Sequence, residues 1–229
     1  SFVLKSKDVL HSFWFPQMGG KRDLITNKTN YLWFTPNADL GTQAWNGFCT
    51  EYCGTSHANM RIRLFTVQPD EFASWAAHQA KPAVYPAAPV EPVVQVARGA
   101  APAPAPVAEE GYIFPANQLP EHVVPKTPIP AGLEFDDSLL ASGDPEAGQM
   151  GFLIGGCVGC HAINGNPMAV STIGPNLTHI ASRHTIGGGL FPNDAPTLAR
   201  WLKNAQKMKP GALMNVVGRG EYDVRLKMT

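Results

Sequence analysis

The sequence has no excess of charge of either sign. Lys plus Arg and Asp plus Glu each total 18, so the formal net charge is zero. Charged residues are also few, at 16% of the chain against about 25% in average proteins. A protein that binds nucleic acid needs a basic surface field, which this composition does not supply. We therefore expect no nucleic acid among the partners.

Long hydrophobic runs are missing as well. No stretch reaches the roughly 18 consecutive apolar residues of a membrane-spanning helix, and no basic-then-apolar signal segment opens the chain. Ser1 to Lys5 nevertheless reads as the middle of a β-strand, and Val224 to Thr229 stop without a closing element. We expect the sequence to be the recovered part of a longer chain.

Proline, in contrast, is abundant and unevenly placed. Twelve of the 21 prolines fall between Lys81 and Pro130, including an Ala-Pro alternation over residues 101–106. This composition predicts an extended, semi-rigid linker over residues 79–135. A proline-rich partner-binding site stays open, although basic-flanked PxxP patterns are missing. Large apolar side chains from Tyr112 onward predict that the later part of the linker lies along a domain surface.

The two regions beside the linker differ in fold class. Residues 1–78 predict a small antiparallel β-sandwich, because residues 60–67 alternate between apolar and charged side chains and residues 11–15 and 30–35 are β-branched or aromatic. A short helix starting at Pro69 is expected to close this domain. Residues 136–229 predict an all-α domain, with Asp144 and Asp194 as helix caps.

All four cysteines occur in two close pairs, one on each side of the linker. The second pair lies in the run Cys157-Val158-Gly159-Cys160-His161. Two thiols at this spacing can add to the vinyl groups of a haem, and the adjacent His161 can ligate its iron. A disulfide, a redox C-x-x-C pair and half a zinc site stay open. Such a haem commonly takes a methionine as sixth ligand, for which Met214 is the candidate and Met208 the competitor.

Further motifs make this half resemble a class I cytochrome c. Gly148 and Phe152 precede the haem motif at the helical spacing of that family, and two more segments match its patterns, Gly174-Pro175-Asn176-Leu177 and Lys209-Pro210-Gly211-x-x-Met214. The resemblance implies one covalently bound haem c, held by Cys157 and Cys160 with His161 and Met214 as axial ligands. It also implies that the Pro175 carbonyl accepts a hydrogen bond from the other ring nitrogen of His161.

The first cysteine pair lies in a twelve-residue run that also contains a histidine and a methionine: Cys49-Thr50-Glu51-Tyr52-Cys53-Gly54-Thr55-Ser56-His57-Ala58-Asn59-Met60. Thiolates, an imidazole and a thioether form a soft ligand set that favours copper over magnesium or calcium. Zinc stays open, although a thioether contributes little to zinc binding. A second histidine, His11, lies on an earlier predicted strand.

This pattern resembles the binuclear copper (CuA) domain of cytochrome c oxidase subunit II, which has a cupredoxin fold. The resemblance implies that Cys49 and Cys53 bridge two copper ions. His11 and His57 then bind one copper each, and the weak ligands are the Met60 sulfur and the backbone carbonyl of Glu51. In this family the Glu51 carboxylate also reaches a magnesium ion shared with subunit I. Residues 19–23 match a docking loop of the family, and a plain polar turn stays open there.

A copper domain, a linker and a cytochrome c domain in one chain resemble subunit II of caa-type haem-copper oxidases. The resemblance implies an electron-transfer subunit in which haem c passes electrons to CuA and on to subunit I, where oxygen is reduced to water and protons are pumped. The chain is then part of an enzyme complex and holds no catalytic residue itself. Its partners are subunit I, other oxidase subunits and an upstream donor, either a cytochrome c or a quinol-oxidising complex.

The same resemblance predicts two transmembrane helices before Ser1 and places both domains on the outer, periplasmic face of the plasma membrane. Three alternatives stay open or are weakened. A CuA subunit of a nitric oxide reductase and a free soluble electron carrier stay open, whereas a nitrous oxide reductase is disfavoured by the glutamate at position 51. The basic residues near the predicted haem-edge loop fit either a surface for docking to an acidic partner or a solvated helix face: Arg200, Lys203, Lys207 and Lys209.

Overall fold

The computed structural model describes residues 1–84, 111–218, 220–221, 223–224 and 226–227. The chain divides into two compact units, each assembled from separate stretches. Unit 1 consists of Ser1–Gln68, Phe114–Asp137 and Arg183–Thr229, and unit 2 of Pro69–Ile113 and Ser138–Ser182. Each unit thus takes segments from both sides of the predicted linker. The domain boundaries at 78 and 135 stay a prediction, and the Ala-Pro alternation lies outside the described residues.

Unit 1 contains six antiparallel strands in its N-terminal part, four of which lie in stretches where the sequence predicts strands, residues 1–5, 11–15, 30–35 and 60–67. They are β1 (Phe2–Leu4), β2 (His11–Trp14), β3 (Arg22–Leu24), β4 (Asn30–Leu32), β5 (Gln43–Cys49) and β6 (Arg61–Thr66). One sheet has the order β3-β2-β5-β6, and β1 pairs with β4. The register places Phe13 of β2 opposite Cys49 of β5, so the end of β5 lies beside the middle of β2.

The core of unit 1 is built around aromatic side chains. The rings of Phe2 and Phe15 both pack on Phe13, with centroids 5.1 Å apart in each pair, and Phe15 is buried. The stretch 114–137 packs in the same unit, because Phe114 and Leu133 are buried and the ring of Phe114 lies 4.9 Å from that of Phe65 in β6. The later part of the predicted linker is therefore anchored in unit 1 by its large apolar side chains.

Unit 1 also contains short elements from the C-terminal stretch. These are β7 (Thr185–Ile186), β8 (Phe191–Pro192), α3 (Ala195–Lys203) and α4 (Ala205–Met208). The helix start predicted at Asp194 is correct, since the Asp194 carboxylate accepts a hydrogen bond of 2.7 Å from the amide of Thr197. The antiparallel pair β7-β8 was not expected in a region predicted to be all-α. None of the described residues from 215 to 227 is helical.

Unit 2 contains two helices, which we number in the same series as α1 (Pro69–Gln79) and α2 (Pro145–Ile154). Both starts agree with the sequence, and Asp144 caps α2 by accepting from the amides of Glu146 at 2.9 Å and Ala147 at 3.2 Å. Helix α1 was expected to close the sandwich but belongs to unit 2. In the part of the chain that the structure describes, every helix is too short or too polar to cross a bilayer.

Candidate metal centre

The six predicted copper ligands come together at one end of the four-stranded sheet. His11 begins β2 and Cys49 ends β5, while the other four lie on the loop between β5 and β6. Backbone bonds tie this loop to the strands, since the amide of Cys49 donates to the carbonyl of Met60 and that of Thr50 to Ser12, both at 3.1 Å. The loop therefore folds back over the end of the sheet, which brings its side chains to His11.

Cys49 has three neighbouring donor groups. Its Sγ lies 3.8 Å from Nδ1 of His11, 3.8 Å from Sγ of Cys53 and 3.2 Å from the carbonyl oxygen of Glu51. The ligand atoms of His11 and both cysteines all lie within 4.8 Å of one another. No disulfide joins the two sulfurs, and all four cysteines of the chain are free thiols.

Cys53 has a second, matching set of neighbours. Its Sγ lies 3.6 Å from Nδ1 of His57 and 4.0 Å from Sδ of Met60. Each thiol thus has one imidazole nitrogen and one weak donor of its own, and the two halves meet at the sulfur pair. The structure brings all six residues together, and their role as copper ligands stays a prediction.

Asp8, which the sequence analysis missed, fixes the orientation of His11. Its carboxylate lies 2.8 Å from Nε2 of the ring. Burial is the largest single influence and acts to lower the pKa of His11, but the hydrogen bonds to Asp8 and Cys49 and the charges of both groups together raise this pKa above its ordinary value. With Nε2–H donated to the carboxylate, Nδ1 is left facing Cys49 with a free lone pair. A carboxylate three residues before a ligand histidine is the sequence signal that points to such a partner.

The two thiols differ in acidity. Burial acts to raise the pKa of Cys49, but hydrogen bonds from the backbone at Ser12 and Glu51 and from both imidazoles lower it to about 7. Burial and the neighbouring Cys49 raise the pKa of Cys53 to about 11. One sulfur is therefore close to the thiolate form at neutral pH, whereas a metal must displace the proton of the other.

The C-x-x-C-H motif lies in unit 2, where Cys157–Gly159 form a 3-10 turn directly after α2. Nδ1 of His161 lies 2.8 Å from the carbonyl oxygen of Pro175, which is the contact predicted from the resemblance. The backbone of Gly174 lies close to the same ring, because a Cβ at this position would lie 2.7 Å from Cε1 of His161. The imidazole is therefore fixed with Nε2 as its remaining lone-pair nitrogen.

Met214 lies in unit 1, whereas the histidine of the haem motif lies in unit 2. Its carbonyl oxygen accepts a hydrogen bond of 3.1 Å from Nε2 of Gln206. The competing Met208 is 4% exposed at the end of α4, which indicates a packing role. The axial role of Met214 stays a prediction.

Two of the four basic residues considered for docking have partners inside unit 1. Arg200 pairs with Asp137 at 3.0 Å, and Lys203 lies 3.7 Å from Glu221. The ring of Phe135 also lies under the guanidinium of Arg200, 4.7 Å away. These cations are used within the unit, which argues against a freely solvated helix face.

A comparison with known protein families agrees with the arrangement of candidate metal ligands on β2 and on the loop after β5. Residues 1–67 match the periplasmic domain of cytochrome c oxidase subunit II. This likeness covers the six predicted copper ligands and all six strands of the N-terminal part of unit 1. It supports a cupredoxin-like β-rich fold for that part and a copper centre at its ligand cluster.

Curated relatives extend the likeness beyond this domain. Cytochrome c oxidase subunit 2 of Alkalihalophilus pseudofirmus is 28% identical over 213 residues, which is 93% of this chain and 44% of the relative. The subunit 2 of Bacillus sp. strain PS3 is 29% identical over 220 residues, 93% of this chain and 46% of the relative. The chain therefore spans about half the length of these relatives.

One solved structure is also similar to part of the chain. It is the crystal structure of the periplasmic domain of subunit II of cytochrome oxidase from Bradyrhizobium japonicum, which is 37% identical and has a TM-score of 0.31. The match covers 33% of this chain and 52% of that one.

Proposed function

We propose that this chain is an electron-transfer subunit of a cytochrome c oxidase, with a two-copper CuA site in its N-terminal half and one covalent haem c in its C-terminal half. The observation that carries the proposal is the matched donor set of the two thiols. Each has one imidazole and one weak donor within 3.2 to 4.0 Å. Electrons enter the chain at the haem-binding half and leave from the copper site toward subunit I.

The donor set fits two copper ions better than one zinc ion. A structural zinc site uses four strong ligands around one centre, whereas here two equivalent half-sites share only the sulfur pair, 3.8 Å apart. Soft thiolate and thioether donors also favour copper. Cys49 and Cys53 would bridge the pair, His11 and His57 would bind one ion each, and Met60 and the Glu51 carbonyl would complete it.

The protein contributes a fixed geometry to this site. When bound, the copper pair and the haem supply one-electron redox chemistry at nearly constant geometry. Asp8 holds His11 in the orientation and tautomer needed for binding through Nδ1. The bonds from Cys49 to Met60 and from Thr50 to Ser12 hold the loop in place. The ligand positions are thus set by the fold before metal arrives.

The residues of unit 2 fit a haem c. Cys157 and Cys160 are free thiols at the two ends of the turn. Nδ1 of His161 lies 2.8 Å from the Pro175 carbonyl oxygen, and the backbone of Gly174 lies close to the ring. Apolar side chains of the kind that a porphyrin covers are exposed in the same unit, with Ile154 at 79% and Ile173 at 81%. Met214 is the proposed sixth ligand.

The wider assignment follows the named relatives. Their alignment over 93% of this chain supports extending the likeness through the linker, residues 79–135, to the cytochrome region, residues 136–229. The proposal includes oxygen reduction and proton pumping by subunit I, an upstream cytochrome c or quinol-oxidising donor, and a magnesium ion held partly by Glu51. It also includes a location on the outer face of the plasma membrane, anchored through segments before Ser1.

The test is a metal and haem analysis of the purified chain with optical and electron paramagnetic resonance spectra. We expect two coppers per chain with a seven-line mixed-valence signal, and one haem that stays attached after denaturation. Zinc, or a single copper with a four-line signal, would overturn the copper assignment. Oxygen rather than nitric oxide consumption by the native complex separates the oxidase from the nitric oxide reductase alternative.

A further inference from the structure

A polar cavity lies beside the last two strands of the four-stranded sheet, wholly within unit 1. Its volume is about 370 Å³, which is enough for a small molecule. Its walls come from three parts of the chain: strands β5 and β6, residues 121–128, and the turn between β7 and β8. The six predicted copper ligands are not among the lining residues. The cavity is therefore not part of the candidate metal centre.

Two arginines line this cavity. Arg61 and Arg63 lie two residues apart on β6, so their side chains leave the same face of the strand. In the part of the chain that the structure describes, neither guanidinium belongs to an ion pair. Burial and the charge of Arg61 lower the pKa of Arg63. Two like charges are thus held close together, an arrangement that a bound anion would stabilise.

A third cation lies at the exposed side of the cavity. Nζ of Lys126 is 2.8 Å from the carboxylate of Glu121, and both side chains are exposed. Exposed pairs of this kind contribute little free energy, so Lys126 is available to an anion. With His122 neutral, the lining carries three cations and one carboxylate, an excess of two positive charges. This balance fits a doubly charged anion.

The position of the Arg63 guanidinium is fixed by the backbone around it. Nη2 donates to the carbonyls of Val123 at 2.9 Å and Gly189 at 3.1 Å. Gly189 has a φ of +79°, and a Cβ there would lie 2.8 Å from Cβ of Arg61. Only glycine permits this approach, because both the positive φ and the short distance exclude a side chain. The wall of the cavity is therefore formed before any ligand binds.

Among the described residues of the lining, two buried polar atoms have no hydrogen-bond partner, Nε of Arg63 and Oδ1 of Asn46. The two residues lie directly opposite each other in the pairing of β5 with β6. Nδ2 of Asn46 donates to the carbonyl of His122 at 2.7 Å, which fixes the orientation of the amide. Buried polar atoms normally have partners. A group that accepts from Nε of Arg63 and donates to Oδ1 of Asn46 would satisfy both.

We propose that this cavity binds hydrogen phosphate. Its two negative charges match the excess positive charge, Arg61 and Arg63 bind its ionised oxygens, and its P–OH donates to Oδ1 of Asn46. Sulfate has the same shape and charge but no proton to donate at neutral pH. A phosphate monoester has a P–OH only below about pH 6, so inorganic phosphate is the expected ligand. The site uses no predicted copper or haem ligand, and the inference does not rest on the proposed function.

The test is a calorimetric titration of the full chain, carrying its cofactors, with inorganic phosphate. Sodium chloride keeps the ionic strength constant, so that screening of exposed charges does not change during the titration. We expect saturable binding of one phosphate per chain, at least about tenfold tighter than sulfate, because sulfate leaves the buried acceptor unpaired. Glycerol 3-phosphate at about pH 7.5 is fully ionised and separates the two sources of phosphate. Weaker binding of this ester supports inorganic phosphate, and tighter binding would overturn the role of the P–OH.

Two variants address the two parts of the site. Asn46→Ala should weaken phosphate binding about tenfold and leave sulfate binding unchanged, so that the preference disappears. Arg61→Gln should weaken the binding of both anions by roughly 10- to 100-fold, since a charge-assisted hydrogen bond is lost. Arg22→Gln is the matched control, because Arg22 lies on β3 at the opposite edge of the sheet and outside the lining. It should leave both affinities unchanged.

The phosphate site is wrong if the parent shows no saturable binding or binds phosphate and sulfate equally. Equal losses in Arg61→Gln and Arg22→Gln would also overturn it, because they would indicate general attraction by positive charge. If Asn46→Ala does not fold, the sulfate titration and Arg61→Gln still decide. A chain that binds phosphate selectively but holds no copper pair would sustain this site and overturn the proposed function.

Discussion

Each ring nitrogen of His11 has its own neighbour, Cys49 on one side and Asp8 on the other. The resemblance to the CuA domain predicted His11 as a ligand. The sequence did not predict Asp8 as the partner of His11. Strand periodicity does not tell where the side chain of a residue just before a strand points. The loop donors were predictable, since five of the six lie within twelve residues.

The first residue-scale prediction concerns Asp8. We expect Asp8→Ala to lower copper affinity by about 10- to 100-fold, because the loss of a carboxylate behind a ligand histidine frees the ring to rotate. Competition with a copper chelator measures the change in affinity. The copper affinity of Asp8→Asn should lie between those of Asp8→Ala and the parent. Asp39→Ala is the control, as this acidic residue lies on a separate 3-10 turn. Equal affinities for Asp8→Ala and Asp39→Ala would contradict the role of Asp8.

The second residue-scale prediction concerns Gly174. A methyl group here would overlap the ring of His161, so Gly174→Ala should displace the imidazole from the Pro175 carbonyl at a cost of about 1–3 kcal/mol. We expect less six-coordinate haem in the optical spectrum and a changed haem potential. Gly151→Ala in α2 has open space around its Cβ and should leave the haem spectrum as it is. A normal spectrum for Gly174→Ala would rule out the constraint.

At the scale of elements, helix starts were easier to predict than strands. Asp144 and Asp194 were identified because a capping carboxylate followed by proline is a local signal. Strand β5 was not predicted, because its sequence Gln-Ala-Trp-Asn-Gly-Phe-Cys does not alternate cleanly between apolar and polar residues. Its strand state comes from pairing with β2 on one side and β6 on the other, which no local pattern records.

The alternation in β6 predicted the strand but not what covers its charged residues. Arg61 lies over the ring of Phe48 at 5.1 Å, and Arg63 donates to the carbonyls of Val123 and Gly189. Alternating arginines normally indicate a solvated face. The partners of Arg63 are the carbonyls at positions 123 and 189. Hydrophobic periodicity does not report contacts between residues so far apart in the sequence. A glycine run such as residues 187–189 is typical of a close backbone approach.

The cap of α3 gives an element-scale prediction. Asp194→Ala removes the acceptor of the Thr197 amide and should destabilise the helix by about 1 kcal/mol. Hydrogen exchange at Thr197 and its neighbours in α3 measures the loss, which should appear as faster exchange. Asp194→Asn, which keeps a capping oxygen, is expected to retain most of the protection. Identical exchange in Asp194→Ala and the parent would contradict the cap.

At the scale of the whole molecule, each compact unit combines residues from both halves of the sequence. The sequence predicted two regions of different class, and their composition does differ. It did not predict that residues 114–137 and 183–229 pack with the N-terminal strands. Buried apolar residues such as Phe114 and Leu133 have no sequence feature that tells which domain they pack into.

The interleaving predicts the effect of a truncation. A chain that ends at Ser182 loses the Gly188 and Gly189 carbonyls that accept from Arg61 and Arg63. Unpaired groups of this kind cost about 1–3 kcal/mol each, so we expect faster hydrogen exchange across β6 and weaker copper retention. The control shortens the Ala-Pro stretch by a few residues, which should be tolerated. A truncated chain with parental protection of β6 would contradict the assignment of residues 183–229 to unit 1.

Because unit 1 is assembled from three separate stretches of the chain, its parts are synthesised at different times. Its strands β1 to β6 emerge early, but its last segment, from Arg183 onward, follows only after all of residues 69–182 have been made. A unit with such distant contacts folds slowly and cannot close before that segment emerges. The thiols of Cys49 and Cys53 consequently stay accessible throughout this interval. Copper insertion is therefore expected to be a late step that needs a reducing partner to protect both sulfurs while they wait.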